Sequence, residues 1–211
     1  MQQLTVSPIH LTDKNIRAIA AFMDSLPKHA LDAVPWPQFP YKPQVAFSIA
    51  YDAAAVCVKF FVEEAFIKAA HGRTNAAVYE DACVEFFISL DDGATYYNIE
   101  ANCIGAVLVG FGTGRESRIL LPPALVDTIG RHVVISQNRS EAVVWEQTLV
   151  IPFELFIHHS RARLEGRTCR ANFYKCGDGL PQPHFIAWNN IESSEPDFHQ
   201  PQYFGALHFA R

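Results

Sequence analysis

The chain has 211 residues and a formal net charge of −5, and no stretch concentrates its lysines and arginines. A surface for nucleic acid or for an anionic membrane normally carries a basic face, so we expect neither partner. Hydrophobic residues make up 49% and charged residues 18% of the chain, which argues against disorder and fits one all-β domain that folds without disulfides or a structural metal.

The first 32 residues are predicted to form an extended arm and one helix that pack on the rest of the chain. Four apolar residues recur at helical spacing in this region: Ile16, Ile19, Met23 and Leu26. Thr12 or Asp13 is a suitable N-cap for the helix, and Pro27 marks its end within one or two residues. The domain that follows is expected to span residues 33–211.

From residue 44 onward, apolar residues alternate with polar ones or run in short blocks, which is typical of strands. The predicted strands cover residues 44–52, 55–64, 82–90, 95–111, 132–138, 142–151, 169–176, 184–188 and 203–210. Turns are predicted at 91–93 and 138–140, and Gly105 is expected to bend or divide the long fourth run. Because strands do not alternate with helices, we predict an all-β fold, a two-sheet antiparallel β-sandwich with one N-terminal helix.

The cysteines and the N-terminal sequence bear on the compartment. Five cysteines, an odd number, lie mostly in apolar segments, which favours free, buried thiols and a reducing environment. The first 15 residues lack a basic start followed by an apolar run, so no signal peptide is predicted. We expect a cytoplasmic protein for the chain as written, and a secreted or periplasmic one if it is a processed form.

The sequence carries no common catalytic motif. A Gly-x-Ser-x-Gly elbow, a P-loop, a His-Glu-x-x-His zinc motif and a Cys-x-x-Cys pair are all absent. The sequence GFGTG at 110–114 looks like a nucleotide-binding loop. It is predicted to lead into another loop instead of a helix, so we do not expect it to hold a phosphate.

Carboxylates on two neighbouring strands are the strongest candidates for a site. Glu85 and Glu100 lie on either side of the predicted 91–93 hairpin, so we expect them within reach of each other. Two such acids could cleave a glycosidic bond, accept hydrogen bonds from sugar hydroxyls, bind a cation, or simply be solvated at a sheet rim. Asn98, Glu100 and Asn102 share one face of their strand, which is either a wet surface or a binding face. Asp81 either hydrogen-bonds its own loop or contributes to a cation site.

Five segments, taken in order, resemble the family 9 carbohydrate-binding modules. They are YEDACVEFFISL at 79–90, YYNIEANCIGAVL at 96–108, NFYKCGD at 172–178, PHFIAWNNI at 183–191 and PDFHQPQYFGALHF at 196–209. The likeness is nearest to single-domain, family-9-like proteins of gut Bacteroidetes, within the sandwich group that includes the DOMON domains. It implies a β-sandwich that clamps a sugar between two aromatic rings, often at a chain's reducing end. No cofactor is implied as required, but some members hold structural calcium, so calcium is possible here.

The resemblance also assigns site residues. Tyr79 and Trp188 match the two clamp aromatics, and Glu85, Glu100 and Asn102 match the polar residues that bind hydroxyls. Tyr79 stands where family modules can have Trp, and relatives can carry a basic residue at the place of Glu100. The expected function is therefore non-catalytic binding of a mono- or oligosaccharide.

Three alternatives to saccharide binding remain open. The first is a small glycan-active hydrolase that uses Glu85 and Glu100. The second is a haem-binding relative within the same sandwich group, for which Met1 and Met23 are the only methionines. The third is a sandwich module whose sugar site has decayed and which acts in protein interaction.

Overall fold

Strands dominate the computed structural model, which describes residues 1–10, 15–137, 142–159 and 163–211. In those ranges the strands are, in chain order, β1 Gln3–Val6, β2 His29–Ala30, β3 Gln44–Tyr51, β4 Ala55–Glu64, β5 Cys83–Ser89, β6 Tyr96–Asn102, β7 Val107–Gly112, β8 Ile119–Leu120, β9 Gly130–Gln137, β10 Val143–Pro152, β11 Thr168–Cys176, β12 Phe185–Ala187 and β13 Gly205–Phe209. The helices are α1 Ile16–Asp24 and α2 Pro123–Val126, with single 3₁₀ turns at Val78–Glu80, Phe153–Leu155 and Pro201–Tyr203.

These strands form two sheets. The eight-stranded sheet has the order β1-β13-β11-β5-β6-β7-β8, with β12 paired to β11, and the five-stranded sheet has the order β2-β3-β4-β10-β9. All pairings are antiparallel except that of β1 with β13, which is parallel. The predicted two-sheet sandwich is confirmed.

Two of the turns lie between strands at the positions predicted from the sequence. Asp92 and Gly93 adopt positive φ angles of 59° and 92° in the tight turn between β5 and β6. Gly105 has a φ of 85° and separates β6 from β7, so the long run predicted at 95–111 is two strands. The turn predicted at 138–140 lies outside the described residues.

The N-terminal region contributes to both sheets. β1 extends the eight-stranded sheet beside β13, and β2 pairs with β3 at the edge of the five-stranded sheet. Helix α1 begins after Asn15, whose side chain accepts hydrogen bonds from the backbone N–H groups of Arg17 and Ala18. The suggested caps Thr12 and Asp13 lie outside the described residues. An apolar cluster joins α1 to the outer face of the five-stranded sheet: Ile9, Ile19, Met23, Ala50 and Cys57.

The main core fills the space between the two sheets, and strand alternation decides which residues enter it. On β6, Tyr97, Ile99 and Ala101 face this core. The intervening Asn98 and Glu100 lie on the outer face of the eight-stranded sheet, where a second apolar cluster also packs. Loops pack over this outer face and enclose a pocket between themselves and the sheet.

No described helix is both long enough and apolar enough to cross a bilayer.

Candidate functional site

A pocket of about 270 Å³ opens on the outer face of the eight-stranded sheet. Its floor consists of side chains from three adjacent strands: Glu85 on β5, Glu100 on β6 and Cys176 on β11. The antiparallel register places Glu85 directly opposite Glu100. The expectation that the two acids meet across the hairpin is therefore confirmed.

Loops remote in sequence build the walls of the pocket. Tyr79, in the 3₁₀ turn before β5, forms one wall, and Phe185 on β12 contributes a second aromatic ring. Phe198 is a third, but it stacks on Tyr174 with ring centroids 4.1 Å apart and is almost fully buried. The β7–β8 loop adds charged groups at the rim, including Arg118.

Burial raises the pKa of both acids in the pair. Glu85 is 3% and Glu100 2% exposed, although both line the pocket. Burial raises the pKa of Glu100 to about 7, while the charge of Arg118 and a hydrogen bond from Asn98 oppose this rise. Burial, reinforced by the negative charge of Glu100, raises the pKa of Glu85 well above its usual range. Because both pKa values are raised, the pair retains protons at higher pH than exposed carboxylic acids do, so the floor can donate as well as accept hydrogen bonds.

The two oxygens of Glu100 have different surroundings. Oε1 accepts a hydrogen bond from Asn98 Nδ2 at 2.8 Å and lies 3.4 Å from Arg118 Nη1. Oε2 is buried and has no hydrogen-bond partner in the described protein. A buried carboxylate oxygen without a donor is costly, so this atom is expected to take a donor from water or a ligand.

Two glycines of the 110–114 sequence allow these contacts to form. A Cβ at Gly110 would lie 2.5 Å from Asn98 Oδ1, and a Cβ at Gly112 would lie 2.6 Å from the Cα of Arg118. The missing side chains therefore let Asn98 reach Glu100 and let the β7–β8 loop fold back with Arg118 over the floor. Close packing, and not phosphate binding, accounts for these two glycines.

His199 fixes the orientation of Arg118. Burial, followed by the charge of Arg118, lowers the pKa of His199 to about 3, so the imidazole is neutral. Arg118 Nη1 donates to His199 Nε2 at 2.6 Å, which leaves the imidazole proton on Nδ1 to be donated to Tyr96 Oη at 2.8 Å. A chain of polar contacts thus connects the sheet to the guanidinium at the rim.

The structure brings together three of the five predicted site residues. Tyr79, Glu85 and Glu100 line the pocket, whereas Asn102 and Trp188 do not. Trp188 was expected at an exposed rim, but it is only 3% exposed and belongs to the core between the sheets. The expectation of rim exposure is wrong because side chains alternate along β12 and the residue after it: Ile186 and Trp188 face inward while Phe185 faces the pocket.

Asn102 and Asp81 form a loop-anchoring cluster beside the pocket. Asp81 accepts hydrogen bonds from the backbone N–H groups of Ala70 and His71, each at 2.9 Å, and from Asn102 Nδ2 at 2.9 Å. Asn102 Oδ1 in turn accepts from the N–H of Ala106 at 2.9 Å. Both carboxylate oxygens of Asp81 thus face N–H donors, whereas calcium requires several free oxygen ligands. These residues do not fit a calcium ion, and Asp81 instead anchors the preceding loop through hydrogen bonds.

Sequence reasoning missed the wall residues Phe185, Arg118 and His199. For Phe185 the signal was present, since strict alternation along 184–188 puts it on the face opposite Trp188. Arg118 and His199 lie in loops without periodicity and meet only through tertiary packing. No local pattern identifies them.

The buried pair predicts a distinct pH dependence of stability. Because the folded-state pKa of Glu85 and of Glu100 is raised, the folded protein keeps protons that the unfolded chain has lost. The contribution of this pair to stability should therefore fall as pH rises from about 4.5 through about 7. At lower pH, His184 and His199 act in the opposite direction, because their folded-state pKa values are lowered to about 3. Urea unfolding should show a smaller fall for the double variant Glu85→Gln/Glu100→Gln, and equal falls would contradict this assignment.

The fold and the pocket define a β-sandwich ligand-binding module with a polar, aromatic-walled pocket on one sheet face. Residues 17–209 match the profile of carbohydrate-binding family 9. The match extends over most of the chain, and the chain belongs to this family.

Solved structures agree with this assignment. A candidate carbohydrate-binding protein from Bacteroides uniformis is 36% identical over 99% of both chains, with a TM-score of 0.92. Two structures of a family 9 module from Caldicellulosiruptor kristjanssonii, one with glucose and one with cellotriose, have TM-scores of 0.60 and 0.62. Both are 11% identical and cover 99% of this chain, and 95% and 94% of their own, so they share the fold. No curated protein matches the chain.

Proposed function

We propose that this chain binds a mono- or oligosaccharide in the pocket on the outer face of its eight-stranded sheet. The observation that carries the proposal is the paired, buried acids Glu85 and Glu100 beneath an open, aromatic-walled pocket. Glu100 Oε2 has no partner in the described protein and accepts a hydrogen bond, and a proton retained by the pair can be donated. Adjacent sugar hydroxyls, each both a donor and an acceptor, complement this arrangement.

The aromatic walls favour the C–H-rich face of a sugar ring. Tyr79 and Phe185 are half-buried, so each keeps ring surface toward the pocket while its other side packs on the protein. Rings of this kind offer apolar contact with little conformational entropy to lose. Phe185 replaces Trp188 as the second clamp residue in this proposal. The volume of about 270 Å³ lies at the lower end of ligand pockets, which favours one sugar unit over an extended chain segment.

Direct titration tests the proposal. Isothermal titration against glucose, cellobiose, xylobiose and galactose should show saturable binding to at least one sugar. Glucose and cellotriose are bound in the Caldicellulosiruptor structures, so glucose and its oligomers are tested first. A folded protein that gives no heat with any sugar in the panel, supplemented with cellotriose, would contradict saccharide binding in this pocket.

Variants locate the binding energy within the pocket. Tyr79→Ala should weaken binding about fivefold, since aromatic contacts contribute on the order of 1 kcal/mol. Glu100→Gln should weaken it about 10- to 100-fold, as expected for a hydrogen bond to a charged group. Phe22→Ala on α1 and Glu154→Gln, both remote from the pocket, are the matched controls and should bind like the wild type.

The hydrolase alternative is not favoured by the positions of the acids. Glycosidases place two carboxyl groups on either side of the scissile bond. Glu85 and Glu100 instead share one face of one sheet and rise side by side from the pocket floor. A ligand above them meets both acids from the same side, which suits binding.

A further inference from the structure

Two cysteines at and beneath the pocket floor have no role in the proposed saccharide binding. Cys83 on β5 and Cys176 on β11 are directly opposite each other in the antiparallel register. Glu85 follows Cys83 by two residues and therefore projects from the same face of the sheet. Both cysteines are free thiols and both are buried.

The three side chains are close enough to share one ion. One ligand atom from each, two Sγ and one carboxylate oxygen, lies within 4.8 Å of the other two. Cys176 Sγ donates a hydrogen bond to Glu85 Oε1 at 3.0 Å. In a tetrahedral zinc site with metal–ligand bonds of about 2.0–2.3 Å, the ligand atoms are roughly 3.3–3.8 Å apart. The Cys176–Glu85 contact is already near this scale, and ligand atoms up to 4.8 Å apart would have to approach by about 1 Å.

We propose that Cys83, Glu85 and Cys176 bind one thiophilic divalent cation of the Zn²⁺ or Cd²⁺ type. Two thiolates select soft or borderline ions over calcium and magnesium, which prefer oxygen ligands. Glu85 and Cys176 line the pocket, so the ion enters from solvent and its fourth coordination position faces the pocket, where water completes the shell.

Ion binding requires this cluster to release protons. Cys83, Glu85 and Cys176 are three acidic groups buried side by side, with Glu100 next to them. Burial raises the pKa of the Cys83 thiol to about 12 and that of the Cys176 thiol well above its usual range. Ligation releases the thiol protons, and the dication offsets two of the three negative charges of the resulting thiolate and carboxylate ligands.

Metal titration of the reduced, full-length protein tests the site without any saccharide. Equilibrium dialysis against Zn²⁺ or Cd²⁺, followed by metal analysis, should give one tightly bound ion per chain. Cd²⁺ should produce the ultraviolet charge-transfer absorption of a cadmium–thiolate bond. Cys83→Ala and Cys176→Ala should each abolish that ion. Glu85→Gln should weaken binding at least tenfold, since even the loss of a residue that only orients a ligand costs 10- to 100-fold.

Cys169→Ala is the matched control, because Cys169 is buried on the same strand as Cys176 but lies outside the cluster. It should bind one ion, and thermal unfolding of each metal-free variant verifies that it is folded. The proposal is overturned if the folded wild type binds no stoichiometric ion, or if Cys83→Ala and Cys176→Ala retain it. Since the metal alone is the probe, failure here leaves saccharide binding untouched.

Discussion

Replacing Trp188 with alanine is expected to lower the free energy of unfolding by about 3–5 kcal/mol, the usual cost of truncating a buried tryptophan. The indole packs edge-on against Phe47 and Phe173, with ring centroids 5.8 Å and 5.6 Å apart. These rings join the two sheets at the centre of the core. For a domain of this size, the melting temperature should fall by roughly 6–20 °C.

The control separates packing from ligand contact. Trp188→Phe keeps most of the apolar volume and should cost clearly less than the alanine change. Calorimetry and denaturant unfolding measure both variants, and saccharide titration is done at a temperature where both are folded. A Trp188→Ala protein with wild-type stability and no saccharide binding would return Trp188 to the role of a clamp residue.

Replacing Lys175 with methionine is expected to destabilise the protein by about 3–5 kcal/mol, because it leaves a buried charge without its partner. Lys175 is fully buried on β11, and its Nζ lies 3.0 Å from Glu64 Oε2. This contact lacks hydrogen-bond geometry, so we attribute its strength to charge attraction. Trp145 Nε1 donates to Glu64 Oε1 at 2.6 Å. Burial, and then the charge of Lys175, lowers the pKa of His184 to about 3, so the neutral imidazole accepts from Nζ at 2.8 Å.

A double-mutant cycle isolates this pair. In Lys175→Met/Glu64→Gln the orphaned charge is gone, so the double variant should be more stable than Lys175→Met alone. Urea unfolding at pH 7 measures all members of the cycle. A Lys175→Met protein within about 1 kcal/mol of the wild type would contradict the assignment of Lys175 as the necessary partner of Glu64.

Much of the fold is predictable from the sequence, because strand signals are local. Apolar alternation and turn residues locate the long strands and the break at Gly105. The short edge strands β1, β2 and β8 escape prediction because their two to four residues carry no periodicity. They become strands only when a neighbour supplies hydrogen bonds. The parallel pairing of β1 with β13, which joins the two ends of the chain, also cannot be predicted from a local pattern.

The candidate site, like the fold, is only partly predictable from the sequence. Residues with a side-chain spacing of two share a face, so Glu85 and Glu100 were predictable once the hairpin between them was recognised. The resemblance matches Trp188 to a clamp position, but alternation along 184–188 places its side chain in the core. For Asn102, the resemblance identified a polar residue whose hydrogen bonds are used by a neighbouring loop.

The sequence by itself therefore determined the sandwich, its long strands and the acidic pair at the floor of the pocket. Tertiary structure alone decided the walls, where Arg118 meets His199 across 81 residues of chain. It also decided the meeting of Cys83 with Cys176. The physical reason is that the alternation of side chains along a strand is a property of each residue and its neighbours. Strand register and loop packing depend on contacts between distant segments, and no local pattern encodes them.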